Sequence, residues 1–314
     1  MLKLITGRLL LAVPLLLAVT AMTFIMFQSM GLDPVIRILG EGVTPESRAA
    51  LEAEMGLDKP VIVQYFLWLG SALTGDFGTS YFSQRDVAEQ LFARLPITLS
   101  IAFGGIVIAV VAGIPLGIVS ARRPGSLVDR AVSAMSTVVY AVPAFWLALL
   151  LVLAFSVTLG WFPVFGYTPF ERDPLGWAWS LTLPWLAVGL SSMAVIARHG
   201  RSSMIEVLES GFVRSLQLRG VPMGRIVYGY ALKNSMLPVI ASIVLQAQLA
   251  IGAGFIIETV FAIPGLGSLL LDAVVIGDLP ILQGAVLTVG IVVVILNLCG
   301  DIIYGVIDPK VRPS

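Results

Sequence analysis

Six apolar stretches of membrane-spanning length dominate this sequence, and they leave few folds open. They run approximately from Leu9 to Phe27, Ile97 to Ser120, Ala131 to Leu159, Leu181 to Ala197, Met236 to Ile257 and Ile281 to Gly300. Lipid offers the backbone no hydrogen-bond partner, so about 20 mostly apolar residues wound as a helix form the unit that crosses a bilayer. None of the six contains Asp, Glu, Lys or Arg, although Arg130 stands at one margin. The fourth is the shortest and can extend backward through Trp177 and Trp179. Pro115, Pro143 and Pro184 lie in or near the spans, where kinks are tolerated. With 58% of residues hydrophobic and 12% charged, the chain cannot cover a water-facing surface. The expected fold class is an all-α integral membrane protein with six transmembrane helices.

Six spans put both termini on one side, and counting bases decides which. One set of connections holds thirteen Lys and Arg, from Lys3 and Arg8 through Arg198, Arg201, Arg214, Arg219, Arg225 and Lys233 to Lys310 and Arg312; the opposite set holds six. The base-rich side is the cytoplasmic one. The first span has a competing reading as a signal peptide, with Lys3 and Arg8 ahead of it and Ala18-Val19-Thr20-Ala21 as a processing site. Its apolar run continues to Phe27, too long for a signal core, and its removal would spoil the charge count. It is kept as a membrane helix.

The first external connection, from Gly31 to Leu95, is too long for a turn. Thr44-Pro45-Glu46 reads as an N-cap, a first-turn proline and an acid, with the helix ending at Gly56. The stretch Pro60 to Leu73, carrying Tyr65, Phe66 and Trp68, reads as a helix at the lipid–water interface. Gly75-Asp76-Phe77-Gly78-Thr79-Ser80 is a turn-rich break. This region is either a shielding cap or a contact for substrate.

The cytoplasmic connection from Arg198 to Lys233 is the most informative. Gly211 interrupts a helix-prone run, and Phe212-Val213-Arg214-Ser215-Leu216-Gln217-Leu218-Arg219 forms about two turns that stop at Gly220, with Pro222 blocking continuation. Phe212, Val213 and Leu216 make a short apolar knob flanked by Arg214 and Arg219. Such a knob suits docking into a groove on a soluble protein; a helix resting on lipid headgroups is the alternative.

Several chemistries are excluded or weakened. No phosphate-binding Gly-x-x-x-x-Gly-Lys-Ser/Thr loop occurs, so the chain is not expected to hydrolyse ATP itself. The single histidine, His199, and the single cysteine, Cys299, cannot build a catalytic triad of the usual kind, a disulfide or a metal cluster. A net charge of zero removes the electrostatic basis for nucleic-acid binding. Intramembrane acids of the sort proton-coupled transport needs are missing, whereas a sodium site of backbone carbonyls would not require them. Ser242 and Gln246, four apart on one face of the fifth span, either line a water-filled path or bond a neighbouring helix; Gln248 points elsewhere and Asn297 has the same two readings.

Nearly end to end the sequence resembles the membrane-spanning permease of a bacterial binding-protein-dependent ABC importer, of the dipeptide, oligopeptide and nickel group, and within it the permease with a long first external loop. The resemblance rests on Gly56-Leu57-Asp58-Lys59-Pro60, Gly75 to Ser80, Arg94-Leu95-Pro96-Ile97-Thr98-Leu99, and Phe212 to Gly220 followed by Asn234 and Leu237-Pro238. It continues through Glu258-Thr259-Val260-Phe261, Pro264-Gly265-Leu266-Gly267, Asp278-Leu279-Pro280, Asn297, Asp301, Tyr304 and Asp308-Pro309-Lys310-Val311-Arg312. Departures are Gly31-Leu32-Asp33-Pro34 for the usual Pro-Gly-Asp-Pro, Gly211 where an acid commonly caps the coupling helix, and Tyr230 for a common histidine. With Gly211 there, either Ser210 substitutes as the cap or docking relies more on the partner for order.

The resemblance implies a type I ABC importer permease fold with a cytoplasmic coupling helix. It divides the chain into a transmembrane helix at 1–30, an external loop region at 31–95, a five-helix core at 96–305 with its coupling loop at 198–235, and a cytoplasmic tail at 306–314. It implies a second related permease chain, two ATP-binding subunits that use ATP and Mg, and a solute-binding protein, with no cofactor, metal or catalytic residue on this chain. Peptides are the first expectation for cargo, with a metal chelate or another small solute as the alternative. A stand-alone secondary transporter would instead work without ATP.

Overall fold

The computed structural model describes residues 2–29, 31, 33–40 and 44–307. Leu32 and the expected Asp308 to Arg312 motif, with most of the 306–314 tail, lie outside the described residues. In chain order the helices are α1 (Leu2–Ser29), α2 (Pro34–Leu39), α3 (Pro45–Glu54), α4 (Val61–Leu73), α5 (Val87–Arg122), α6 (Leu127–Ala141) and α7 (Ala144–Leu151). Then come α8 (Pro174–Leu208), α9 (Gly211–Leu218), α10 (Met223–Arg225), α11 (Leu232–Val260), α12 (Leu266–Ile276) and α13 (Leu279–Ile307). Two π-helical segments, Val152–Thr158 and Ile226–Ala231, continue α7 and join α10 to α11. Among the described residues, five helices are long and apolar enough to cross a membrane, and six spans result if the bent pair of α6 with α7 and its π-helical end counts as one.

That pair corrects the picture of a simple third span. α6 and the continuous α7 with its π-helical end meet at an angle of 102°. Pro143 has no N–H to give the preceding turn and its ring forces Val142 into an extended backbone (ψ 124°). α8 also differs from the expected span. It begins at Pro174 behind the Asp173 cap and runs on past Ala197 to Leu208. Likewise the helix leading into α11 begins at Met223. The irregular part of the expected 198–235 loop is thus confined to the flanks of α9, because helices continue beyond the point where hydropathy falls.

The chain folds as two compact units. The first comprises residues 2–97 and 264–295. Here Asp33 caps α2, while Thr44 and Ser47 form a reciprocal capping box on α3. Gly56 takes φ +67° at the end of that helix, as expected from its position. α4 packs within this unit through Tyr65, which is buried with Phe24, Phe27, Leu279 and Leu282. Its hydroxyl donates to Leu17 O at 3.1 Å and bonds Thr20 Oγ1 at 3.0 Å. Asp278 is fully buried, accepting from Ser80 Oγ at 2.5 Å and from the Tyr81 amide.

The second unit comprises residues 98–263 and 296–307. Its centre is α8, against which α6, α7 and α11 pack. α5 approaches α8 along small residues: a Cβ on Gly117 would stand 2.8 Å from Ala197 O and 3.0 Å from Arg201 N. Only glycine fits there, which is how membrane helices gain close packing without a hydrophobic drive. Trp185 Nε1 donates to Ser100 O at 2.9 Å, fixing the register of the two helices.

Candidate functional site

The stretch expected to couple the chain to a partner forms its own short helix, α9, separated from α8 by Glu209 and Ser210. Ser210 has the extended backbone of an N-cap (φ −66°, ψ 150°), yet no side-chain cap bond forms. Its Oγ donates to Val207 O at 2.6 Å instead. Of the two readings of Gly211, Ser210 as a substitute cap is not met: its hydroxyl closes the preceding helix, and no side chain caps α9. At the other end Val221 N–H donates to Leu216 O at 3.1 Å and Gly220 N–H to Gln217 O at 2.9 Å. Gly220 takes φ +76°, completing a left-handed glycine stop.

The structure divides the apolar knob. Val213 is fully buried, and α9 rests against the π-helical segment that precedes α11. Phe212 remains 45% exposed, with its ring edge-on to Tyr230 at 6.3 Å between centroids. Leu216 is half-buried, whereas Leu218 is 85% exposed. Arg214, Ser215, Gln217, Arg219 and Gly220 are exposed. Val213 therefore anchors the helix, and Phe212 and Leu218 supply its free apolar surface among guanidinium groups.

The same unit holds an ion pair that the sequence reading missed. Arg201, on the last turns of α8, donates through Nε to Asp129 Oδ1 at 2.5 Å and through Nη2 to Oδ2 at 2.8 Å. Asp129, 3% exposed, also accepts from Ser120 Oγ and from the Gly125 amide. One carboxylate thus ties together the ends of α5, α6 and α8, with the two-point geometry that makes guanidinium–carboxylate bonds strong and directional. Arg198 lies over the Tyr140 ring at 4.7 Å, and Ser203 Oγ donates to Ser235 O at 3.0 Å, joining α8 to α11. Ile118, Met204, Val227 and Ala231 form a buried cluster in the same unit. The available signal was Ser126-x-x-Asp129, a capping pattern that sets Asp129 in the first turn of α6, where Ser126 Oγ accepts from its amide.

The expected path residues, Ser242 and Gln246, share a face of α11 and are both buried within the chain. Ser242 Oγ donates to Val239 O of its own helix at 2.7 Å. Gln248 and Asn297 behave differently: Gln248 Nε2 donates to Asn297 Oδ1 at 2.8 Å, linking α11 to α13. Glu258, read in the sequence only as part of a family-like motif, is fully enclosed and accepts from Thr98 Oγ1 at 2.5 Å. Among the described residues, no three His, Cys, Asp or Glu side chains converge as a metal site would require.

Residues 113–313 match the family described as binding-protein-dependent transport system inner membrane component, and residues 1–102 match its N-terminal companion. A Brucella abortus (strain 2308) protein, provisionally named a peptide transport system permease, is 38% identical over 312 residues, 99% of each chain. The dipeptide transport system permease protein DppB of Escherichia coli (strain K12) is 34% identical over 99% of each chain. The oligopeptide transport system permease protein AppB of Bacillus subtilis (strain 168) is 33% identical over 98% of each. In fold, the chain is similar to one from inward-facing structures of the MetNI methionine ABC transporter, with a TM-score of 0.58 and 18% identity, covering 70% of this chain and 96% of that one. The chain therefore belongs to the binding-protein-dependent transport system inner membrane component family, the membrane-spanning permease subunits of ABC importers.

Proposed function

We propose that this permease carries peptides across the cytoplasmic membrane as one half of a two-chain path. Its drive comes from ATP, with Mg, hydrolysed on two separate subunits. Relatives named for peptide, dipeptide and oligopeptide transport support the cargo. A second, related permease completes the path, a solute-binding protein delivers the peptide from outside, and this chain performs no catalysis. Both termini and α9 face the cytoplasm, a reading supported by the thirteen Lys and Arg on that side against six on the other.

The observation that carries the coupling role is α9 itself, an eight-residue helix anchored by buried Val213 and presenting Phe212 and Leu218. Exposed apolar side chains ringed by Arg214 and Arg219 fit a partner groove with an acidic rim. Closure of the ATPase pair displaces α9, and the Asp129–Arg201 tie carries that displacement into α8, α6 and α5 as one body. Ser242 and Gln246 are the proposed polar lining, reached when α11 moves. Reconstitution of the complete importer in liposomes tests the reading. ATP-dependent uptake of a labelled dipeptide is expected; uptake that is indifferent to ATP, or no peptide uptake by an importer that hydrolyses ATP normally, contradicts it.

A further inference from the structure

Within the first unit a half-open cavity of about 370 Å³ lies among α1, α3, α4, the 76–84 turn and the start of α13. Phe24, Trp68, Phe77 and Pro280 give it apolar walls. Gln283 is among its lining residues, is 1% exposed, and its Nε2 has no hydrogen-bond partner; Trp68 Nε1 is likewise buried without one. Buried donors are almost always satisfied, so two unsatisfied ones around one cavity mark a missing acceptor. Exposed Glu54 and Asp76 also line it, and neither has an ion-pair partner among the described residues; Asp76 only accepts from the Gly78 amide at 2.8 Å. Burial, and secondarily Asp278, push the Tyr81 phenol up to about 12, so this lining group stays neutral.

We infer that this cavity is a binding site for the amino-terminal end of a short peptide, an inference that rests on the peptide reading above. The ammonium meets Glu54 and Asp76, the first side chain enters the apolar walls, and Gln283 and Trp68, whose donor nitrogens are closed off from the cavity in this structure, turn to donate to the first carbonyl. The volume lies at the lower end for small-ligand sites, enough for two residues and not for a folded segment. In the proposed topology the cavity opens outside, so the permease itself would hold a peptide end before translocation.

Equilibrium dialysis of radiolabelled Leu-Ala against the full chain in lipid nanodiscs tests the site, with N-acetyl-Leu-Ala as control. Saturable binding is expected, weakened about tenfold or more by acetylation and by Gln283→Leu. That substitution keeps the volume and removes an unpaired donor, so the chain stays folded. The Glu54→Gln, Asp76→Asn pair, at exposed positions, should weaken binding by a similar factor. Absence of saturable binding, or equal binding of the acetylated peptide and by the variants, overturns the site. If the assembled importer takes up dipeptides while the cavity binds none, the site alone falls. If it takes up none either, the peptide reading falls with it.

Discussion

α1 and α8 are both apolar enough to span a bilayer, yet they are built for opposite surroundings. α1 is the more apolar, and 17% of its 18-residue apolar stretch is buried within the chain; α8 is the less apolar, and 72% of the corresponding stretch is buried. Hydropathy thus ranks the two against the order of their burial. Lipid is as apolar as leucine, so a leucine gains little by leaving it, and interiors are instead selected for close approach and internal hydrogen bonds. α1 keeps Leu10, Leu11, Val13 and Met22 exposed. α8 buries Ser180, Gly189, Ser192, Ala194, Ala197, Gly200 and Ser203. These small and polar residues share the inside with Leu181, Leu183, Ile196 and Met204, so polarity is tolerated where close approach and internal bonds are made.

The contrast can be broken most sharply at Gly117. Gly117→Leu drives a side chain into the backbone of α8 at Ala197 and Arg201, a clash that no rotamer relieves. Recovery of monodisperse chain by size-exclusion chromatography should fall roughly tenfold or more. Leu10→Ala, on the exposed face of α1, should recover as the unaltered chain does. Equal recovery of the two variants would show that the α5–α8 contact is not what holds the second unit together.

A smaller loss is expected at Asp129. Asp129→Ala leaves Arg201 without its carboxylate and should cost about 3 kcal/mol, the lower range for a broken buried pair because Arg201 is partly solvated. Thermal unfolding reports it, and the Asp129→Ala, Arg201→Ala double variant should lose less than the two single losses together. Simple additivity would mean that the pair does not act as a unit. Smallest is the Gln248–Asn297 bond, worth about 0.6 kcal/mol by comparison with other interhelical bonds in membranes. A double-mutant cycle with Gln248→Leu and Asn297→Leu measures it, and a coupling well above 1 kcal/mol would make it a main support rather than a minor one.

Much of the architecture was legible in the sequence because each feature had a local cause. Long apolar runs, the Thr44 cap, the Gly56 and Gly220 stops and the isolation of α9 are consequences of residues within one helical turn. The 102° bend was half legible: Pro143 was visible, but the geometry of the break depends on what α6 and α7 pack against. The buried acids were not legible as partners. Asp129 and Arg201 are far apart in sequence and each looks like an ordinary loop charge; only the approach of α6 to α8 makes them a pair. Glu258 and Thr98 were seen within the family-like motifs, and their bond depends on tertiary placement. Val213 was grouped with Phe212 and Leu216 because two turns of helix give no sign of which side has a neighbour.

The proposed coupling role of α9 is tested most directly by comparing its two faces in the intact importer. Phe212→Ala with Leu218→Ala should leave the thermal midpoint of the chain unchanged, while the ATPase that co-purifies falls ~10-fold or more and uptake is lost. Val213→Ala should lower the midpoint first, with ATPase capture falling in step. Full ATPase recovery and normal uptake by the Phe212, Leu218 variant would contradict the account.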